Sequence, residues 1–212
     1  MRLFSLLFLF SFISFPQQSN LSKAVNSISE YIASDHFIQL QKQIGDLSAT
    51  DSIYTFAIRY TENDRSEALL SLMLATVPYN KVPINIPIIN STLNYPLISA
   101  DEETFLKKNE NLPRNLFIDT PQNISGDQDK LAHFFGSAFL SYESAFFDLG
   151  ELIGYFVEVF EESFSVQSKI DLRDLDVNNY GRFFGDMLNE NPDLLPSQII
   201  ILRSMRFIKI SI

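Results

Sequence analysis

The chain has 212 residues, no cysteine and a formal charge of -10, from 26 acidic and 16 basic residues. The absence of cysteine excludes disulfides, thiolate metal ligands, a cysteine nucleophile and a lipid-modified cysteine. The acidic balance argues against nucleic acid and anionic membrane surfaces as partners, because both would repel the chain. A hydrophobic content of 46% with 20 phenylalanines predicts a domain that buries a phenylalanine-rich core.

Residues 1–19 have the pattern of a secretory signal peptide. Arg2 supplies a positive start, an apolar run extends from Leu3 to Phe15, and a polar stretch follows. The apolar run is shorter than the roughly 20 residues that a membrane-spanning helix needs. We therefore expect an exported protein without multi-span membrane insertion. A leader that is not removed, which would give peripheral membrane association, stays an alternative.

Residues 20–126 form the first portion of the predicted domain, and apolar residues recur at helical intervals in its first part. The segments 21–32 and 37–47 predict two helices with a break near Ser34. The segment 51–60 alternates like a β-strand, although a continued helix would also fit it. Helices are therefore expected before residue 51, and both a strand and a helix remain possible for 51–60.

A capping box and several prolines mark the elements that follow. Asp64 and Glu67 form the box that opens a third helix, and Pro78 ends it. Two alternating apolar runs between residues 82 and 97 predict a β-hairpin, whose prolines confine it to edge positions. Residues 99–126 have the composition of a loop. The predicted fold class is thus mainly α, a compact helical domain with a small irregular β-hairpin region (82–97).

Residues 127–212 form the second portion. We expect it to share a single domain with the first, because no internal repeat or low-complexity tract occurs after the leader. We expect Asp127 to cap the first helix of this portion, with Lys130 and His133 on its polar stripe. Asp129 precedes His133 by one helical turn, so its carboxylate is placed to orient the imidazole and raise its basicity. Such a pair serves a general base, a metal ligand or an internal salt bridge equally well.

Two further helices are predicted after this one. The segment 148–162 carries carboxylates on one face over a phenylalanine-rich face, and Glu158 is one of these carboxylates. The next helix has a face with two glycines four residues apart, which allows a second helix to approach closely. This face consists of Asp174, Asn178, Gly181 and Gly185. We expect the close packing to bring Asn178 near Glu158 and His133.

Several other polar and charged residues of this portion are expected on the surface. Those on the outer side of the third helix are Asp176, Asn179 and Arg182. A basic group near the C-terminus is typical of ordinary surface decoration; it consists of Arg203, Arg206 and Lys209. The tail from Gln198 to Ile212 has strand-like alternation.

The spacings in residues 127–212 resemble those of the VanZ-like proteins and, more closely, of the YfiM-type group of exported bacterial proteins. The matching pieces are Asp129-Lys130-Leu131-Ala132-His133-Phe134, Gly154 four residues before Glu158, and the run from Asp174 to Gly185. The resemblance implies a helical module of the bacterial envelope, in the periplasm or associated with the outer envelope, whose members lack an established activity. The founding VanZ proteins are associated with glycopeptide resistance.

The chain departs from the pattern of both groups. VanZ-like proteins have long membrane helices, whereas acidic residues such as Glu143 and Glu151 interrupt every comparable apolar run here. YfiM-type proteins tend to have lysine before the glutamate, where this chain has Val157, and many are lipoproteins, which the missing cysteine forbids.

The leading hypothesis for function is a non-catalytic envelope protein in which a buried polar network holds three helices together. The members of this network are also the candidate catalytic residues: Asp129, Lys130, His133, Glu158, Asp174 and Asn178.

Two alternatives stay open. The first is a metal-dependent or acid/base hydrolase that acts on an envelope lipid or glycan. His133, Asp129 and Glu158 would hold a divalent metal, and Lys130 would meet an anionic substrate. No other cofactor is indicated. The second alternative is an adaptor that binds an envelope protein through residues 82–97.

Overall fold

The computed structural model describes residues 19–86, 91–144 and 172–207, and the side chains of all of these except 83–86, 91–93 and 144. The architecture is mainly α with one small antiparallel β-hairpin, which confirms the predicted fold class. The elements in chain order are α1 (Asn20–Ala33), α2 (Asp35–Tyr60), α3 (Arg65–Thr76), β1 (Lys81–Ile86), β2 (Ser91–Pro96), α4 (Glu102–Asn111), α5 (Lys130–Ser144), α6 (Leu172–Leu188) and α7 (Pro196–Met205). Within these ranges, each helix is too short or too polar to cross a membrane.

One serine separates the first two helices, as predicted. The Ser34 hydroxyl donates to the Tyr31 carbonyl at 2.7 Å and accepts the Phe37 amide at 3.1 Å. The same side chain therefore closes α1 and caps α2, which satisfies backbone groups that the two helix ends leave unpaired.

The segment 51–60 is helical, so its strand-like alternation was misleading. Within it, Ile53, Tyr54 and Ala57 are buried, and this spacing of one and three residues follows a helical face. Gly45, with φ 80° and ψ 166°, interrupts α2. Glycine is the residue that adopts this conformation without strain, and the kink is followed at once by Asp46. The Asp46 carboxylate accepts the backbone amides of Arg114 and Asn115 at 3.0 and 2.8 Å.

The predicted start of α3 and the hairpin are confirmed. Of the capping box, the structure shows the Asp64 half, while the Asp64 amide donates to the Thr61 carbonyl at 2.9 Å. Asp64 accepts the Glu67 amide at 3.0 Å, and α3 ends at Thr76, two residues before Pro78. In the hairpin, Pro83 lies opposite Asn94 and Pro96 opposite Lys81. Because proline has no N–H, these are positions at which the backbone nitrogen faces away from the partner strand. Each outer edge thus lacks one donor, which discourages pairing with a further strand.

Two predictions along the chain are wrong. The segment 99–126 is not all loop, because α4 lies within it; Asp101 caps this helix by accepting the Thr104 amide at 3.1 Å. The tail is helical from Pro196 to Met205, not strand-like, and the isoleucines at 208, 210 and 212 lie outside the described residues. Pro196 suits the first turn of α7, and Asp51 on α2 accepts the amide of Ser197 there at 2.8 Å.

A single core joins the described helices, and phenylalanines lie at its centre. The rings of Phe134 and Phe135 on α5 have centroids 5.5 Å apart, and Phe134 lies 5.2 Å from Phe184 on α6. All three are nearly inaccessible to solvent. The core therefore fixes α5 and α6 against each other and against α2 and α3, and the polar residues of both helices are positioned by it.

Candidate functional site

The two glycines of α6 set its distance from α5. A Cβ added at Gly181 would collide with the carbonyl oxygen of Phe134, and one at Gly185 with that of Ala138. The two helices therefore meet backbone to backbone, as the glycine spacing predicted. The two helices run parallel, because the later glycine of α6 meets the later residue of α5. Polar residues on the facing sides of the helices therefore lie in one group.

We define the α5–α6 polar cluster as Asp129, Lys130, His133, Asp174 and Asn178. Its centre is the ammonium of Lys130, which lies 3.0 Å from a carboxylate oxygen of Asp129 and 2.5 Å from one of Asp174. Lys130 is 3% exposed. Burial by itself would lower the pKa of Lys130, but the hydrogen bond to Asp174 and the charges of both aspartates outweigh it, so the pKa is raised. Lys130 is thus a charged ammonium held between two carboxylates.

His133 lies one turn further along α5 and is also buried. Its Nδ1 is 3.1 Å from Oδ1 of Asn178, and its Nε2 is 3.6 Å from Oδ1 of Asp174. An amide oxygen only accepts hydrogen bonds, so Nδ1 carries the proton in this contact. Ser137 donates to the same Asn178 oxygen at 3.0 Å. Burial lowers the pKa of His133 against the opposing charges of Asp174 and Asp129, which keeps the ring neutral at pH 7.

The stability of the protein is expected to fall below about pH 6.5 because of His133. Its pKa is lower in the folded state than in the unfolded state, so unfolding takes up a proton between those two values. The free energy of unfolding then decreases with falling pH, by at most about 1.4 kcal/mol per unit. Urea unfolding at a series of pH values measures this slope in the wild type and in His133→Gln.

His36 is the matched control for this measurement, because it is the other of the chain's two histidines and is exposed. His36→Gln is expected to keep the wild-type slope, whereas His133→Gln reduces it. Equal slopes in the wild type and His133→Gln would contradict the assignment of a neutral buried histidine.

Asp127 does not have the expected role of a simple helix cap. Its side chain is fully buried and accepts the amides of Leu116 and Phe117 at 3.0 and 3.2 Å. Thr120 donates to the same oxygen, and Arg173 on α6 pairs with the other at 2.6 Å. The backbone carbonyl of Asp127, not its carboxylate, accepts the amide of Lys130. Asp127 therefore ties the turn at 116–120 to the beginning of α6.

A second group of charges, which we call the arginine network, adjoins this turn. Arg203 on α7 is buried, binds both oxygens of Asp119 at 2.7 and 3.0 Å, and pairs with Asp176 on α6 at 2.8 Å. Its guanidinium lies 4.3 Å from the ring centroid of Phe117. Hydrogen bonds from Arg203 and then Arg173 hold the pKa of Asp119 well below its usual range. The network consists of Asp119, Asp127, Arg173, Asp176, Arg203 and Arg206.

The network corrects two surface assignments. Asp176 was expected to be exposed, but it is paired with Arg203 and Arg206; Arg203 was expected as surface decoration, but it is buried. Asn179 and Arg182 are exposed as expected. The pairing of Asp119 with Arg203 joins distant parts of the chain, so local spacing carried no signal for it. In the sequence, Phe117 and Asp119 have the character of ordinary loop residues, and nothing near them indicates a buried arginine as their partner.

Of the predicted site residues, the structure brings together five in the α5–α6 polar cluster, and Glu158 lies outside the described residues. For a metal, the described residues offer Asp129, His133 and Asp174, with one ligand atom each, all within 4.8 Å of one another. Asp174 thus joins the Asp129 and His133 of the predicted set. Carboxylate oxygen and imidazole nitrogen suit zinc, manganese or iron, but the ammonium of Lys130 already bonds to both carboxylates.

No protein-family model matches this chain, and comparison with curated proteins and with solved structures gave no significant match. The resemblance to the VanZ-like and YfiM-type proteins therefore stays a prediction.

Proposed function

We propose that this chain is a non-catalytic protein of the bacterial envelope, exported by its amino-terminal leader, in which the α5–α6 polar cluster is architectural. The single observation that carries the architectural role is the position of the Lys130 ammonium between Asp129 and Asp174. Asp129 and Asp174 are only partly buried, but their carboxylates lie close together around a buried ammonium, and like charges at close range are unfavourable without a cation. Here the chain supplies that cation itself.

The neutral state of His133 supports the same role. Its Nδ1 is engaged by Asn178, whose oxygen is also held by Ser137. A buried polar group stabilises the fold when it is satisfied, and leaving a partner unpaired costs about 1–3 kcal/mol. The contacts among these residues thus join α5 to α6 at the level where the two helices are in backbone contact.

A second candidate function is metal binding for hydrolysis of an envelope lipid or glycan. The convergence of Asp129, His133 and Asp174 favours it. In that function a divalent ion would replace Lys130 between the carboxylates, and it would supply Lewis acidity or an activated water. Lys130 would then be displaced toward an anionic substrate.

Metal-dependent thermal unfolding separates the two functions. A ligand that binds the native state alone raises its stability by about 2.7 kcal/mol at a hundredfold excess over Kd. For the wild type we expect no difference between chelator and added zinc or manganese. For Lys130→Met we expect lower stability in chelator and a partial recovery with metal, since the two carboxylates then lack their cation.

The matched control is Lys107→Met, because Lys107 is exposed and pairs with Glu103 on α4, away from the cluster. It is expected to respond to neither chelator nor metal. A metal-dependent rise in the wild type that disappears in His133→Ala would overturn the architectural role and favour the metal-dependent function.

A further inference from the structure

Side chains of α4 bond to backbone carbonyls at the ends of two other helices. Lys108 donates to the Val77 carbonyl at 2.5 Å, and Asn109 donates to the Pro78 carbonyl at 3.1 Å, both just beyond the end of α3. Asn111 donates to the carbonyl of Ile32 in the last turn of α1 at 2.9 Å. These carbonyls have no partner within their own helices, so α4 docks by satisfying them.

The docked position places the Lys108 amine in an apolar setting. The side chain is 1% exposed, and its nitrogen lies 4.6 Å from the centroid of the Phe105 ring. Ile32, whose carbonyl binds Asn111, and Thr76, which precedes Val77, are fully buried. Burial lowers the pKa of Lys108 from 10.5 to about 7. Desolvation is the cause, and no carboxylate among the described residues offsets it.

Charged groups are present on the elements around Lys108, but burial is the cause of its lowered pKa. On α4, Glu103 and Lys107 pair with each other in solvent. Arg114 bonds to the carbonyls of Asn109 and Glu110 at the end of α4. The other charged residues of the surrounding elements are Lys23 and Glu30 on α1, Arg65 and Glu67 on α3, Lys81 on β1, and Asp101, Glu102 and Glu110 around α4, and none of them contributes to the change at Lys108.

We propose that α4 is a pH-responsive latch, docked on the ends of α1 and α3 most firmly when Lys108 is neutral and released more readily when Lys108 is protonated. An undocked α4 returns the amine to water, where protonation is favourable at every pH below its ordinary pKa. Release is therefore coupled to proton uptake between about pH 7 and about pH 10, and docking tightens by up to tenfold per pH unit over this window. Below the lower limit, both states are protonated and the coupling ends.

The latch is connected to the segment that precedes α5. The Asn109 carbonyl accepts hydrogen bonds from Arg114 at 3.0 Å and from Gln128 at 2.9 Å. Gln128 is adjacent to Asp129 of the polar cluster. Release of α4 thus breaks hydrogen bonds at both ends of the segment 114–128. The residues that lead into the first turn of α5 are then less firmly held.

Hydrogen exchange of the α4 backbone amides in the whole protein tests the latch. The exchange rate of the wild type is divided by the exchange rate of Lys108→Met at each pH. This ratio removes the intrinsic pH dependence of amide exchange, which is the same in both proteins. We expect this ratio to fall by up to tenfold per unit as pH rises from about 7 toward 10. Lys107→Met is the control, one residue away and exposed, and it should reproduce the wild-type values.

A ratio that is constant over the window, or a Lys107→Met protein that also loses the pH dependence, would overturn the proposal. A second measurement does not depend on the folding of any variant. The Cε signals of the lysines in the wild type, followed by nuclear magnetic resonance, are expected to include one that titrates near pH 7. If every lysine titrates near its ordinary pKa, the latch is excluded.

Discussion

Replacing Arg203 by methionine is expected to lower the free energy of unfolding by about 3 kcal/mol or more. The guanidinium is buried and is shared between Asp119 and Asp176. Methionine fills much of the same volume and keeps contact with Phe117, so the loss comes from the charges and not from a cavity. Removing one member of a buried ion pair leaves the partners short of a counter-charge in a medium that solvates them poorly. Chemical denaturation of both proteins measures the difference.

Arg206 provides the control for this prediction. It pairs with Asp176 from the position just after α7, but its side chain is 56% exposed. An exposed ion pair contributes about 0–1 kcal/mol because water and salt screen it. Arg206→Met should therefore change stability little. Similar losses in the two variants would show that burial of the network is not what makes Arg203 important.

Replacing Gly185 by alanine is expected to destabilise the protein by about 2 kcal/mol, although alanine is the better helix former by about 1 kcal/mol. The added methyl group would meet the backbone carbonyl of Ala138, which has no freedom to rotate away. The two helices would have to separate, and the bond between Ser141 and Asp186 on the same level would be strained. Thermal or urea unfolding gives the sign of the change directly.

The exposed side of α6 supplies the comparison. Asn179 lies there, on the same helix and away from α5. Asn179→Ala gains helix propensity without a steric cost, so a small stabilisation is expected. A stabilised Gly185→Ala protein would mean that α5 and α6 accommodate the methyl group, and that the glycines are not required for the close approach.

Features that depend on neighbouring residues were predictable from the sequence. The caps at Ser34 and Asp64 involve residues three apart, and the glycine face of α6 follows from helical periodicity. The same periodicity placed Asp174 and Asn178 on one line, which led to their contacts with Lys130 and His133. Local chemistry thus gave most helices and the main members of the polar cluster.

Features that depend on distant residues were not predictable. Arg203 is buried only because Asp119 is brought to it by the tertiary fold, and its own surroundings in the sequence are those of a surface arginine. Asp127 had the position of a helix cap, but the turn at 116–120 offers it two amides and a hydroxyl. Lys108 is a similar case. A lysine on a polar helix gives no sign in the sequence that it will be buried and will donate to a carbonyl at the end of α3.

The parallel orientation of α5 and α6 places the positive ends of two helix macrodipoles side by side. Asp129 immediately precedes α5, and Asp174 lies in the first turn of α6. Each carboxylate is therefore where the field of both helices favours negative charge, and together they offset the repulsion between the two amino-terminal ends. Acidic residues at this end of the pair would be retained by selection for stability alone, even in a protein that binds no ligand there.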